Sequence, residues 1–411
     1  MNLNKKHIIS WVLFDFANSS YSAVIASVVF PVYYVNSIVG NESGLGDLWW
    51  GRAISTSMAV VAFSSPFLGG IADYGGIRKK LLFLYTAISI GAIASLSILQ
   101  KGMIFEGFAL IALANLGMEG GLVFYNSFLP RIAPQQYHGR VSAWGFGVGY
   151  SGSILSLLFA FPLVINGQFE VTWLMVAVFF AVFSTPAFLF LPADMKSGIS
   201  VIRAGIIGTK QTMGTLKEIW GRKEPRKFLL SYLIYEDGVN TVIVFSSIFA
   251  ATTLGFKPQE LIALYLAVQV SALIGAFAMA KPIDTNGPKT VVTISLLMWT
   301  VVSTAAFFVR TKTQFWLLAS FAGLGLGTVQ AATRAFYTQF IPREKEAEYF
   351  GVYSLVGKSS AIAGPLVFGQ VSNVFGSERP AILSIAIFFL AGMLILKSVK
   401  GGGPNVKRGS S

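Results

Sequence analysis

The chain contains no cysteine, so neither a disulfide framework nor a thiolate metal site can be built from it. Its two histidines, His7 and His138, fall in a tail and a loop, too few and too far apart for a metal site. No metal and no cofactor is expected. Charge is scarce too. Only 12% of the 411 residues are charged, against about a quarter in ordinary soluble domains. Residues 81–99, 171–191, 290–309 and 380–396 carry no charge at all. No G-x-x-x-x-G-K-[ST] run occurs, which removes the phosphate cradle of a nucleotide-driven pump. No set of catalytic groups gathers at one interface, so an enzyme is not expected.

What fills the chain is apolar: 54% of residues are hydrophobic and mean hydropathy is +0.66. The charge-free runs match the roughly 17–25 apolar residues of a membrane-crossing helix. Lipid offers the backbone no partners, so each run must be helical. Twelve spans are predicted, near 8–38, 48–74, 80–100, 103–130, 140–166, 171–191, 226–254, 258–280, 288–309, 314–341, 349–375 and 379–397. The fold class is an all-α polytopic membrane protein.

The net charge of +13 could indicate nucleic acid, but its placement argues otherwise. The odd-numbered connections hold only Lys101, Lys257, Arg310, Lys312 and Arg379, while most of the 31 Lys and Arg lie in the tails and even-numbered connections. That asymmetry follows the positive-inside rule and predicts cytoplasmic termini. The expected partner is the lipid bilayer, not nucleic acid. MNLNKKHIIS at the start lacks a small-residue cleavage site after a short apolar core, so the first span is expected to be retained.

Residues 192–226 interrupt the rhythm of spans. They are basic and place Ile199, Ile202, Ile206 and Ile207 at helix-like spacing, which predicts a linker helix at the bilayer surface, near anionic lipid. On either side the chain repeats itself. FYNSFLP (124–130) returns as FYTQFIP (336–342), and Asp73-x-x-Gly76-x-Arg78 returns as Asp284-x-x-Gly287-x-Lys289. Asp15-x-x-Asn18-Ser19 returns as Asp237-x-x-Asn240-Thr241. Three echoes in one order predict a parallel duplication of six helices. The expected layout is one bundle over 1–191, the linker over 192–226, a second bundle over 227–398 and a tail over 399–411.

Polar residues are distributed by position in each triplet of helices. Spans 1, 4, 7 and 10 hold Asp15, Glu119, Asp237 and Arg334, whereas the bodies of spans 3, 6, 9 and 12 are the charge-free runs 81–99, 171–191, 290–309 and 380–396. An ionisable group in hydrocarbon costs about 2.5–3.5 kcal/mol on insertion scales, so these groups should face protein or a water-filled pathway. Asp15, Asn18, Ser19 and Ser22 share one helix face, as do Asp237, Asn240 and Thr241. Span 4 stacks Asn115, Glu119 and Asn126; span 10 stacks Gln330 and Arg334 with Tyr337; Lys358 adds a cation in span 11. Both signs of charge together suit a zwitterion or polar anion better than a simple cation. The competing reading is that the amides and hydroxyls only tie helices together. Gly145, Gly149 and Gly152 in span 5 permit close helix approach, and Gly364-Pro365 in span 11 permits a kink. Arg52, near the far end of span 2, is read as an anchor or gate residue.

GGIADYGGIRKK (69–80) resembles the loop 2–3 signature of the major facilitator superfamily, through Gly69, Asp73, Gly76, Arg78 and Lys79, although Tyr74 and Ile77 stand where the family often has Arg. WVLFDFANSSY (11–21), GRVSAWGFGVGYSG (139–152), LIYEDGVNT (233–241), GLGTVQAATRAFYTQFIP (325–342) and EYFGVYSLVGKSSAIAGP (348–365) resemble one branch of it, that of the vacuolar autophagy-related amino-acid effluxer and its bacterial relatives. The resemblance implies two six-helix bundles and a cytoplasmic gate. Gly69, Asp73, Gly76, Arg78 and Lys79, with Asp284, Gly287 and Lys289, are the expected gating set. It further implies a secondary transporter in a bacterial cytoplasmic membrane, working as a monomer by alternating access. The cargo would be a small polar solute such as an amino acid, exported, with a proton the favoured coupling ion. A lipid or lipid-linked-sugar flippase of the same fold is the alternative.

Overall fold

The computed structural model describes residues 4–133, 138–194, 198–342 and 345–400. Among these residues the regular structure is entirely helical. Among the described residues eleven helical spans are long and apolar enough to cross a membrane. They are span 1 (Lys5–Val39), 2 (Leu45–Tyr74), 3 (Arg78–Ile98), 4 (Ile104–Asn126), 5 (His138–Ile165), 6 (Phe169–Phe190), 7 (Lys223–Thr252), 8 (Pro258–Asn286), 9 (Pro288–Phe308), 10 (Lys312–Thr338) and 12 (Glu378–Lys397). The twelfth crossing is broken. Span 11 consists of Glu346–Ser359 and Ala363–Phe375, each too short to cross alone.

The break has a local cause. Pro365 has no N–H, and its ring would strike the carbonyl four residues back in a continuous helix. In the first turn of a new helix the same residue is tolerated, and there it lies. Span 1 is irregular in another way. Tyr21–Val28 and Tyr34–Val39 are π-helical, the first directly after the Asp15 face. Single widened turns of this kind concentrate at functional sites, and the sequence carries no signal for them.

Spans 3, 6, 9 and 12 leave apolar stripes uncovered: Val171, Leu174, Val178 and Val182 on span 6, and Leu383, Ile387, Leu390 and Leu394 on span 12. Steps of three and four residues put each set on one face, which lipid covers without polar cost. The linker region forms the helix Val201–Gly221.

The chain divides into two compact units that do not follow the duplication. One comprises residues 1–210, 243–263 and 365–378, and the other residues 211–242, 264–364 and 379–411. The first therefore contains the N-terminal spans together with the 243–263 segment and the second piece of span 11. Its core is aromatic: Trp11 stacks on Tyr125 at 4.6 Å, and Phe30 meets Trp173 edge-on at 5.2 Å. In the second unit Phe228 packs on Phe336 and Tyr337 at 5.2 and 5.5 Å. Both copies of the repeated Phe-Tyr pair, Phe124-Tyr125 and Phe336-Tyr337, are buried. Such ring pairs contribute about 0.5–1.5 kcal/mol beyond the area they bury.

Candidate functional site

In the first unit, span 1 presents its polar face to spans 4 and 5. Asn18 Nδ2 donates to Asp15 Oδ1 at 3.3 Å, and the Ser19 hydroxyl donates to the Asp15 backbone carbonyl at 2.7 Å. The Tyr125 hydroxyl is buried beside Asp15 and lies in its field. Span 5 approaches this face through its glycines. A Cβ on Gly145 would stand 2.9 Å from Asp15 Oδ2, and one on Gly152 only 2.2 Å from the Phe16 carbonyl. Asn115 is fully engaged elsewhere: it accepts from the Tyr21 hydroxyl at 3.2 Å and donates to Ser57 Oγ at 2.8 Å, joining spans 1, 2 and 4. Glu119 lies in the electrostatic neighbourhood of Tyr21. Ser22 is half-buried, and Asn126 is exposed at the last residue of span 4.

In the second unit, Asp237 is committed to backbone. Its Oδ1 accepts the Gly364 N–H at 2.8 Å and its Oδ2 the Ala363 N–H at 3.2 Å. The carboxylate thus caps the second piece of span 11 where the break frees its first N–H groups. Asn240 donates to Ser360 Oγ at 3.2 Å, and Thr241 donates to the Asp237 carbonyl at 2.6 Å. The polar face of span 7 therefore holds the break in span 11. Gln330 and Arg334 are exposed, one turn apart on span 10. The Arg334 guanidinium lies 5.5 Å from the Phe350 ring, and among the described residues no carboxylate pairs with it. Lys358 sits in the last turn before the break, half-buried.

The expected gating residues make contacts inside their own bundles. Arg78, 5% exposed, donates to the Ala72 carbonyl at 2.9 Å and the Ser127 carbonyl at 2.8 Å, and meets Asp73 at 3.3 Å. It ties the turn between spans 2 and 3 to the end of span 4. Lys79 Nζ reaches the Leu191 carbonyl at 2.8 Å, at the end of span 6. Lys289 Nζ reaches the Lys397 and Val399 carbonyls at 3.2 and 2.6 Å, at the end of span 12. The two lysines thus play matching parts in the two halves. Gly76 and Gly287 hold positive φ, 65° and 83°, which excludes most side chains there. Gly69 has open space around it, and the Asp284 side chain lies outside the described residues.

Two acidic residues escaped the reading of the sequence. Asp47 is fully buried at the start of span 2; it accepts from Asn41 Nδ2 at 3.1 Å and from the Ser372 hydroxyl. Glu236 immediately precedes Asp237. An acidic residue inside or at the end of an apolar span was the available signal for both. Arg52, by contrast, is exposed with its guanidinium 5.2 Å from the Trp49 ring.

Twelve crossings, apolar third helices and ionisable groups on the first helix of each triplet match a secondary transporter of the major facilitator class. The family profile described as "Vacuole effluxer Atg22 like" matches residues 51–402, and the chain belongs to that family. An uncharacterised MFS-type transporter, YxiO of Bacillus subtilis (strain 168), is 28% identical over 95% of this chain and 94% of its own length. Autophagy-related protein 22-1 of Penicillium rubens is 22% identical, over 85% of this chain and 74% of its own. Among solved structures, the nucleoside transporter NupG superposes with a TM-score of 0.71 at 15% identity, covering 97% of this chain and 99% of that one. A bacterial homologue of the human lysosomal transporter Spinster gives 0.67 at 13%, covering 96% of both. At these identities the structures speak for the fold alone.

Proposed function

We propose that this transporter exports a small zwitterionic solute of the amino-acid class across a bacterial cytoplasmic membrane by alternating access, with both termini cytoplasmic. The observation that carries the reading is Arg334. A guanidinium exposed within a span, with no carboxylate partner among the described residues, suits the anionic end of a solute, because a bidentate Arg–carboxylate pair is strong where water is scarce. The family's description as an effluxer supports the direction. A proton is the coupling ion we favour, with Asp15 and Glu119 as the carboxylates to exchange it. The unit of function would be the monomer.

The test is efflux from proteoliposomes loaded with radiolabelled amino acids, with and without an imposed pH gradient. Efflux should respond to the gradient, fall at least about tenfold in Arg334→Gln and recover in part in Arg334→Lys. Efflux untouched by Arg334→Gln removes the residue from the solute path. A gradient without effect on wild type removes the proton, and translocation of labelled lipid but of no amino acid would replace the reading with a flippase.

A further inference from the structure

With the Asp237 oxygens taken by backbone, span 7 still carries one carboxylate whose position is not explained by any contact. Glu236 has no hydrogen-bond or ion-pair partner among the described residues, although it is half-buried in an apolar span. Its charge reaches the phenols of Tyr232, Tyr235 and Tyr353. Tyr232 and Tyr353 lie face to face, their centroids 4.5 Å apart and their planes 7° from parallel. The Tyr235 hydroxyl is occupied by Thr333 at 2.8 Å. Tyr353 also lies within the electrostatic reach of Arg334. A carboxylate and a guanidinium therefore stand near one tyrosine, in the same unit, without pairing with each other.

We infer that Glu236, with the Tyr232–Tyr353 pair, forms the ammonium-binding subsite of the transported solute. An ammonium group offers three donors and a compact positive charge. It is satisfied by a carboxylate and by phenol oxygens as acceptors, which are the groups gathered here. A bare carboxylate in a span is costly unless a cation or proton meets it, and Asp237, 4% exposed and already capping the second piece of span 11, is the less accessible of the two carboxylates. The subsite rests on the amino-acid reading for its partner Arg334: one group takes the amine, the other the carboxylate, and a molecule carrying both is selected over molecules carrying either.

The experiment measures binding by calorimetry to the purified full-length protein in lipid nanodiscs. Its probes are alanine, valine and phenylalanine, their decarboxylated amines (ethylamine, isobutylamine, 2-phenylethylamine) and their deaminated acids (propanoate, 3-methylbutanoate, 3-phenylpropanoate). Glu236→Gln should weaken the amino acids and the amines by about tenfold or more and leave the acids unchanged; Arg334→Gln should do the converse. Glu236→Asp, which keeps the charge, should restore part of the amine binding and guards against a folding defect. Amines that bind Glu236→Gln as tightly as wild type overturn the subsite, as does wild type that binds neither amines nor amino acids. Amine binding lost in Glu236→Gln, with no amino acid bound by wild type, leaves the subsite standing and removes the amino-acid reading.

Discussion

At the scale of single residues, the Asp237 carboxylate accepts two backbone N–H groups at a helix start, and hydrogen bonds to a charged group contribute about 1.5–3 kcal/mol each. Asp15, its counterpart in the repeat, instead holds Asn18 and lies against Gly145. The same five-residue pattern thus serves two jobs, because span 11 breaks beside Asp237 whereas span 5 runs unbroken beside Asp15. Asp237→Ala should therefore lower the thermal unfolding midpoint, with a loss of about 1–3 kcal/mol, and Asp237→Asn should lose less because Asn also caps. Glu236→Gln removes a charge that has no partner and should not lower the midpoint. A midpoint that drops further in Glu236→Gln than in Asp237→Ala would reverse these assignments. The repeat made Asp237 legible in sequence and hid Glu236, whose counterpart is Phe14, a buried ring stacked on Tyr125 at 4.9 Å. What a carboxylate does depended on where a neighbouring helix breaks, and that is a matter of packing.

At the scale of elements, the linker helix shows what periodicity can and cannot reveal. Its amphipathic spacing was plain, and Ile202 and Ile206 are indeed exposed. Its seat was not, because it is made by glycines. A Cβ on Gly208 would stand 2.2 Å from the Gly70 Cα, and one on Gly205 would stand 2.3 Å from the Phe67 ring. The helix backbone thus lies directly on span 2, beside the 69–80 signature. Gly208→Val should lift the first half of the helix from span 2, raising hydrogen exchange over 201–210 while spans 3 and 4 stay protected; unchanged exchange would show that the crossing is dispensable. The second half is held by charge. Lys345 donates to Glu218 at 2.7 Å and the Tyr349 hydroxyl donates to its other oxygen at 3.0 Å. These bonds hold the Glu218 carboxyl below its usual pKa of 4.5, and Glu218 holds the Lys345 ammonium above its usual 10.5. The carboxylate's contribution is present above pH 4.5 and fades as pH falls through its lowered value. The ammonium's contribution is present below pH 10.5 and fades as pH rises through its raised value. A nitroxide at Lys217 should accordingly be least mobile between those limits and loosen on either side, and Glu218→Gln should raise its mobility across the plateau and remove the acid limb. Since both side chains keep a good part of their surface in solvent, the change in overall stability should be small.

At the scale of the whole molecule, the duplication was legible because charge-free runs and repeated motifs survive in sequence, whereas the grouping of the chain into compact units was not. Residues 243–263 and 365–378 belong to the same compact unit as the N-terminal spans, and what joins them is small and polar. Asp47 accepts from Ser372, Asn373 donates to the Ser43 carbonyl at 3.0 Å, and Thr252 donates to Asn36 at 3.1 Å. Gly51 lies so near Pro365 that a Cβ would come 2.3 Å from its carbonyl oxygen. Short polar residues and glycines give few sequence signals, yet they allow backbones to meet closely and part again without exposing a large apolar surface. The alternating access proposed above requires these contacts to break in one half of the cycle. Removing one should bias the equilibrium by its own interaction energy and no more. Asp47→Ala deletes a buried carboxylate that organises Asn41 and Ser372, a loss of about 1–3 kcal/mol, which multiplies the parted population roughly 5–150-fold. Nitroxides at Glu42 and Val374, read by pulsed dipolar spectroscopy in nanodiscs, should therefore gain a longer-distance population in Asp47→Ala that is minor in wild type. Gly51→Val, which pries the same joint sterically, should shift the distances in the same direction. If neither variant changes the distance distribution, this end of the unit does not open, and alternating access would have to proceed without parting these residues.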